Sequence, residues 1–343
     1  MSPSAFSSLV RQLEELSVQQ LVKLAAIVAE RARLGQTAAD IEAQASPRQT
    51  CPGCGGGPAV RWGTTGGIQR WRCKTCKKTW NATSGMAVAK VRKKTAFRLF
   101  VEDMASPAPL SCRMIARRLG INRMTAWRWR HKACALVAGF GDTRLDGIVE
   151  ADETFQRESR KGSREWVRWT RDSRAHAKPP RLRWRDHGDA YTPMKRGLSR
   201  WQIPVLTLAD RSGRRVAEVL GGLSWASIGP ALRRSVAPDA ILCSDKAQAY
   251  KKFAATSGVR HIRVASRKGK IARDKTFHIQ NVNALHSRFK AFIAPFKGPA
   301  TKYLSVYVGW FLFRDLSGRD GDAARRLWLR ALDPKGHQQA MPT

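Results

Sequence analysis

Four cysteines and two aspartates carry the chemistry that this sequence offers. Cys51-Pro52-Gly53-Cys54 and Cys73-Lys74-Thr75-Cys76 are two C-x2-C pairs separated by 18 residues. Thiolates spaced in this way, each pair on a tight turn, can close one tetrahedral four-sulfur site. Zinc suits the soft donors, and a site with four protein ligands leaves no open position, so the metal is expected to be structural. Cys112, Cys134 and Cys243 are scattered singles. An odd count with two close pairs is the pattern of a reduced, metal-binding chain rather than a disulfide framework.

The aspartates stand out for a different reason: a carboxylate on a buried strand costs several kcal/mol unless it is compensated. Asp152 lies inside Val149-Glu150-Ala151-Asp152-Glu153-Thr154-Phe155, and Asp245 lies just past the apolar run Ile241 to Ser244. Two carboxylates from neighbouring strands are what Mg2+ needs for in-line attack at a phosphodiester. Glu153 competes with Asp152, but strand alternation sends the two to opposite faces. A third ligand is expected from a later helix. The last glutamate is Glu218, and the acids beyond Asp245 are Asp274, Asp315, Asp320, Asp322 and Asp333. The helix after the strand at His261 offers Asn281, Asn283, His286 and Lys290 instead. Asn283 and Lys290, seven residues apart, share a helical face. An Asn carbonyl can ligate Mg2+ without adding charge, and the Lys can hold a phosphate.

The elements that must position these groups sit in a folded polycation. The 343 residues carry 63 Lys and Arg against 26 Asp and Glu, a formal net charge of +37, while 43% are hydrophobic and 12 are Trp. That composition excludes a disordered basic tail and predicts a polyanionic partner, nucleic acid first. A run of 18 apolar residues or an apolar N-terminal leader is missing, so a membrane is not the expected polyanion. Residues 1–46 hold four basic and five acidic side chains. They predict two short amphipathic helices, with Ser17 and Gln20 as a capping box, serving as a helical cap or in self-association.

Residues 47–90 predict a zinc ribbon with Trp62, Trp71 and Trp80 as core filler. Residues 91–141 predict a DNA-binding helix-turn-helix domain. In it Met114, Ile115 and Leu119 line one face of the first helix, Gly120 makes the turn, and Asn122 caps a second helix from Arg123 to Lys132. Arg123, Thr125, Arg128 and Arg130 on that second helix are the candidates for phosphates and base edges, and of Trp127 and Trp129 one should pack and the other be exposed. Residues 142–320 alternate strands and helices after an initial hairpin, which predicts a mixed α/β sheet covered by helices. They include a basic insertion at 156–200, expected to track DNA, and residues 321–343 read as a tail.

The order C-x2-C-x18-C-x2-C, helix-turn-helix, VEADETF, LCSDKAQAY, HIQNVNALHSRFKAF and YVGWFLFR resembles the bacterial insertion-sequence transposases of the ISXO type. The likeness runs from Cys51 to Arg314. It implies a multidomain α/β protein whose catalytic domain has the RNase H-like fold. Asp152 and Asp245 match the family's first and second acidic positions. Asn283 falls on a third position that is often Glu, and Lys290 on a following Lys, so the chain looks like a DDNK variant of the DDE class. The resemblance implies Mg2+, with Mn2+ as an alternative, beside the structural Zn2+. It also implies double-stranded DNA partners at transposon ends and target, homo-oligomers on DNA, and a bacterial cytoplasmic location. Competing readings are a non-enzymatic DNA-binding regulator and a structure-selective nuclease on the same fold.

Overall fold

The structure is a computed structural model that describes residues 2–45, 50–56, 58–65, 67–137, 143–178, 202–245, 247–264, 276–318 and 321–333. It divides into two units, Met1–Leu136 together with Gly321–Thr343, and Val137–Asp320.

The first unit opens with α1 (Pro3–Glu14) and α2 (Val18–Ala45). Ser17 and Gln20 form the expected reciprocal cap, Ser17 N–H donating to Gln20 Oε1 at 2.8 Å and Gln20 N–H to Ser17 Oγ at 3.4 Å. The helix that follows is long rather than short, because no Gly-Pro signal stops it before residue 45. A three-stranded antiparallel sheet follows, β1 (Ala59–Thr65), β2 (Ile68–Cys73) and β3 (Thr79–Asn81). Then come α3 (Lys94–Ala105), α4 (Cys112–Arg118) and α5 (Arg123–Ala135).

The second unit is built on β4 (Ile148–Arg157), α6 (Glu165–Arg171), β5 (Gln202–Asp210), β6 (Arg215–Val219), α7 (Trp225–Ser235), β7 (Ile241–Ser244), α8 (Gln248–Ser257), β8 (Arg260–Arg263), α9 (Gln280–Ile293) and α10 (Leu304–Ser317). Its five-stranded sheet has the order β6-β5-β4-β7-β8. β4 runs antiparallel to β5, and β5 to β6, whereas β4, β7 and β8 are mutually parallel. Gly213, at φ +89°, closes the β5–β6 hairpin in a conformation that favours glycine. On one face Val149, Ala151, Leu206 and Leu208 pack against Ile228 and Leu232 of α7 and Tyr250 and Phe253 of α8. On the other, α9 and α10 lock together through Phe289, Phe292, Trp310 and Phe311.

Two regions depart from their expected roles. Residues 321–333 are not a tail: α11 (Ala323–Ala331) packs on α3 in the first unit, with Trp328 buried and Ala87 N–H donating to Ala331 O at 3.0 Å. Trp328 Nε1–H donates to Asp40 Oδ2 at 2.9 Å, and Arg98 pairs with the same oxygen at 3.2 Å. The end of α2 therefore belongs to this core, since it supplies the buried Thr37, Asp40 and Ile41. The 156–200 insertion begins as ordered chain. β4 extends to Arg157, and Ser159 exchanges backbone and side-chain hydrogen bonds with Thr301, each 2.8 Å. Trp166 and Trp169 of α6 meet edge to face, and residues 179–200 of the insertion lie outside the described residues. Among the described residues no helix is long and apolar enough to cross a membrane.

Candidate active site and metal centre

In the first unit, one donor from each of Cys51, Cys54, Cys73 and Cys76 falls within 4.8 Å of the others. Cys51 and Cys76 sulfurs are 3.4 Å apart, and those of Cys54 and Cys73 3.7 Å. A tetrahedral ion with metal–sulfur bonds of about 2.3 Å needs about 3.8 Å between sulfurs, so the donor set fits zinc. The hairpins explain the convergence: Cys73 ends β2, where its N–H bonds Lys78 O, and Cys51 precedes β1 on a turn closed by Gly55 N–H to Cys51 O. The Cys76 N–H directed at Cys73 Sγ lowers that thiol to about 6, toward the thiolate that a metal requires. Trp80 is buried against Cys51 and Cys73, and Trp71 packs beside it. Trp62 is not core. It is 45% exposed, and the Arg72 guanidinium lies 4.5 Å from its ring, because a three-stranded sheet covers only one face.

The two helices α4 and α5 meet through a turn at Gly120 (φ +58°), and Asn122 caps α5 by accepting Met124 N–H at 2.8 Å. Trp129 packs edge to face on Phe97 and Phe100, while Trp127 is exposed and stacks on His131. Arg123 and Arg128 are exposed, and Thr125 is half-buried. Arg130 departs from its expected role: it is buried, and its guanidinium holds the Leu110 carbonyl. Four residues after Ala126 and three before Ala133, it lies on the packed side of α5 with both. Met114 is likewise exposed, since Ile115 and Ala116 form the packed stripe of α4.

In the second unit the parallel register pairs Ala151 with Ser244, so the next residues, Asp152 still within β4 and Asp245 just past β7, lie side by side. Each carboxylate is oriented by a backbone amide. Glu153 N–H donates to Asp152 Oδ1 at 2.9 Å and Ala247 N–H to Asp245 Oδ1 at 2.8 Å. Burial pushes Asp152 up to about 6, with the Asp245 charge adding to the rise and Lys290 opposing it. The structure thus brings Asp152, Asp245 and Lys290 into one electrostatic neighbourhood. Glu153 goes to the opposite face, where the Tyr250 hydroxyl donates to it at 2.7 Å. Burial and the two aspartates raise it to about 7.

Asn283 sits on the exposed side of α9 and, among the described residues, has no direct bond to either aspartate. Its neighbours on that helix touch the site. His286 Nε2 lies 2.6 Å from Thr207 Oγ1, and that hydroxyl donates to the Asp152 carbonyl at 2.9 Å. Burial and Lys290 lower His286 to about 4, so the ring is neutral at pH 7. Asp315, one of the late acids, is occupied elsewhere by Arg288 at 2.6 Å and by Arg215. Asp274 lies outside the described residues.

Sequence reasoning missed Glu150. It is fully buried on the Asp152 side of β4 and meets five groups. Its Oε2 accepts the Asn281 and Val282 N–H groups at 2.8 and 3.1 Å. Its Oε1 accepts Asn281 Nδ2 at 2.8 Å and pairs with Arg211 at 2.7 Å, with His278 Nδ1 at 3.2 Å. The available signal was a glutamate two residues before Asp152 on the same strand face, with Arg211 waiting in the β5–β6 turn.

Residues 144–315 match the family described as the ISXO2-like transposase domain. No curated protein matches the chain. A crystal structure of a pre-cleavage Mos1 transpososome aligns with 71% of this chain and 78% of its own, at 11% identity and a TM-score of 0.25, too low to carry an argument.

Proposed function

The chain belongs to the ISXO2-like transposase domain family, within the DDE transposases, and on that basis we propose that it is a DNA transposase that binds insertion-sequence ends and cuts and joins DNA strands. The observation that carries this reading is the convergence of Asp152, midway along β4, and Asp245, just past the parallel β7, in a chain of formal net charge +37. A regulator that only binds DNA has no use for two carboxylates set side by side on neighbouring strands.

The sheet order, with its second strand reversed, supports an RNase H-like catalytic domain. The four-cysteine module and the α4–α5 pair supply the DNA-binding surface, α5 entering the major groove with Arg123 and Arg128 outward. Asp152, Asp245 and Asn283 would hold Mg2+ or Mn2+. Bound there, the metal supplies activation of the attacking hydroxyl and charge relief at the leaving oxygen. The chain's own groups prepare that chemistry. The Glu153 and Ala247 amides fix the two carboxylates, neutral His286 and Thr207 hold the Asp152 carbonyl, and Lys290 places a cation where a phosphate must dock.

Incubating the protein with end-sequence DNA and Mg2+ should give 3′-end nicks followed by joined products. Asp152→Ala and Asp245→Ala should abolish both while end binding is retained. Nicking without joining would identify a nuclease, and binding without nicking a regulator.

A further inference from the structure

Resting on that reading, we infer that Glu150 is a positioning residue that sets the register of α9, and with it Asn283 and Lys290, against the catalytic strand. A buried carboxylate is costly unless every lone pair is used. Here the Asn281 and Val282 amides, the Asn281 side chain and Arg211 use them. The two amides belong to the first turn of α9, where the helix leaves N–H groups without partners of its own and its dipole favours a negative charge.

A second tie lies further along. His286 reaches Thr207 and through it the Asp152 carbonyl. From Val282 to His286 the helix advances about 6 Å, and from Glu150 to Asp152 the strand advances about 6.7 Å. The two advances match, so the helix is pinned to the strand at two points of equal spacing. Asn283 lies between the pins, and Lys290 one turn beyond the second.

This geometry separates Glu150 from a merely structural acid. A helix without partners at its first turn could fray there, which releases Asn283 from its helical position while the rest of the helix stays packed through Phe289 and Phe292. Fixing that turn through a residue of β4 itself makes the third ligand position depend on the strand that carries the first.

The test uses the zinc-loaded full chain. Glu150→Gln puts an N–H donor where an acceptor oxygen now faces backbone amides. Mn2+ affinity, read by electron paramagnetic resonance without DNA, should fall by roughly 10–100-fold, the usual effect of removing a group that orients metal ligands. Amide exchange at Asn281 and Val282 should accelerate, and end-DNA binding should stay at the parental level. In an Asn283→Ala background Glu150→Gln should cost no further Mn2+ affinity. Parental Mn2+ affinity in Glu150→Gln, or an equal loss in both backgrounds, overturns the proposal. Should Glu150→Gln fail to fold, Arg211→Gln tests the same clamp with the same two criteria. If the parent binds Mn2+ but never cuts end DNA, the transposase reading fails, while the clamp is still decided by the exchange and affinity data.

Discussion

The cysteine module and the acidic site are opposite solutions to gathering like donors. The cysteines lie within one 26-residue window, sit on hairpin turns and approach to 3.4 and 3.7 Å, a spacing that can hold one metal ion. The aspartates come from strands more than 90 residues apart, are fixed one amide each, and repel across a half-open site. The first site is part of its module's fold. The second is held in place by a fold that must stand without it, and stores the repulsion that a cation would relieve. A closed donor set thus builds structure, whereas an open one is built by structure.

The largest test removes a thiolate. Cys73→Ser should unfold the β1–β3 module, because metal binding and folding are one free energy in so small a unit. Elemental analysis should give one zinc per parental chain and less for the variant, with exchange protection of β4 and β5 unchanged. A folded, zinc-free parent would erase the contrast.

The next test asks whether arginines on one helix divide in the same way between surface and frame. Arg128→Ala should weaken end-sequence discrimination by about 1–3 kcal/mol and flatten the salt dependence of binding. Arg130→Ala, by removing the group that holds Leu110 O, should lower thermal stability and leave the salt slope as it was. A slope flattened equally by Arg130→Ala would return Arg130 to the DNA surface.

The smallest expected effect has the most informative sign. Asp152 titrates near 6 in the folded chain against an ordinary value of 3.8. A carboxyl raised by folding contributes stability below its unfolded value and loses it as pH rises through the folded value. Metal-free Asp152→Asn should therefore melt above the parent at pH 7, by a few degrees, with the gain vanishing below about pH 4. Loss of a donor thus destabilises the closed site and stabilises the open one. A variant that melts below its parent at pH 7 would show that Asp152 supports the fold.

What could be read in advance follows the range of the interaction. The cysteine spacing, the Asn122 cap, the Gly120 turn and the strands bearing Asp152 and Asp245 depend on near neighbours, and they were legible. Trp62, Met114 and Arg130 were misplaced because burial of an amphipathic side chain depends on which face a distant element covers. The role of Glu150 was legible only in part, for the same reason. Strand alternation puts it beside Asp152, but only the docking of α9 gives it an orienting role. Trp328 could not be assigned because its partners, Asp40 and Arg98, lie more than 200 residues upstream.

The return of α11 to the first unit has a consequence for biosynthesis. The core formed by the end of α2 and by α3 lacks a wall until the ribosome has added Trp328, and at roughly 5–20 residues per second the intervening unit delays that by about 10–40 s. The Val137–Asp320 unit holds all its strands within one stretch and can fold first. Prematurely terminated chains would then carry a folded second unit and an unfinished first one. The helix α11 would act as a late seal on the core of the first unit.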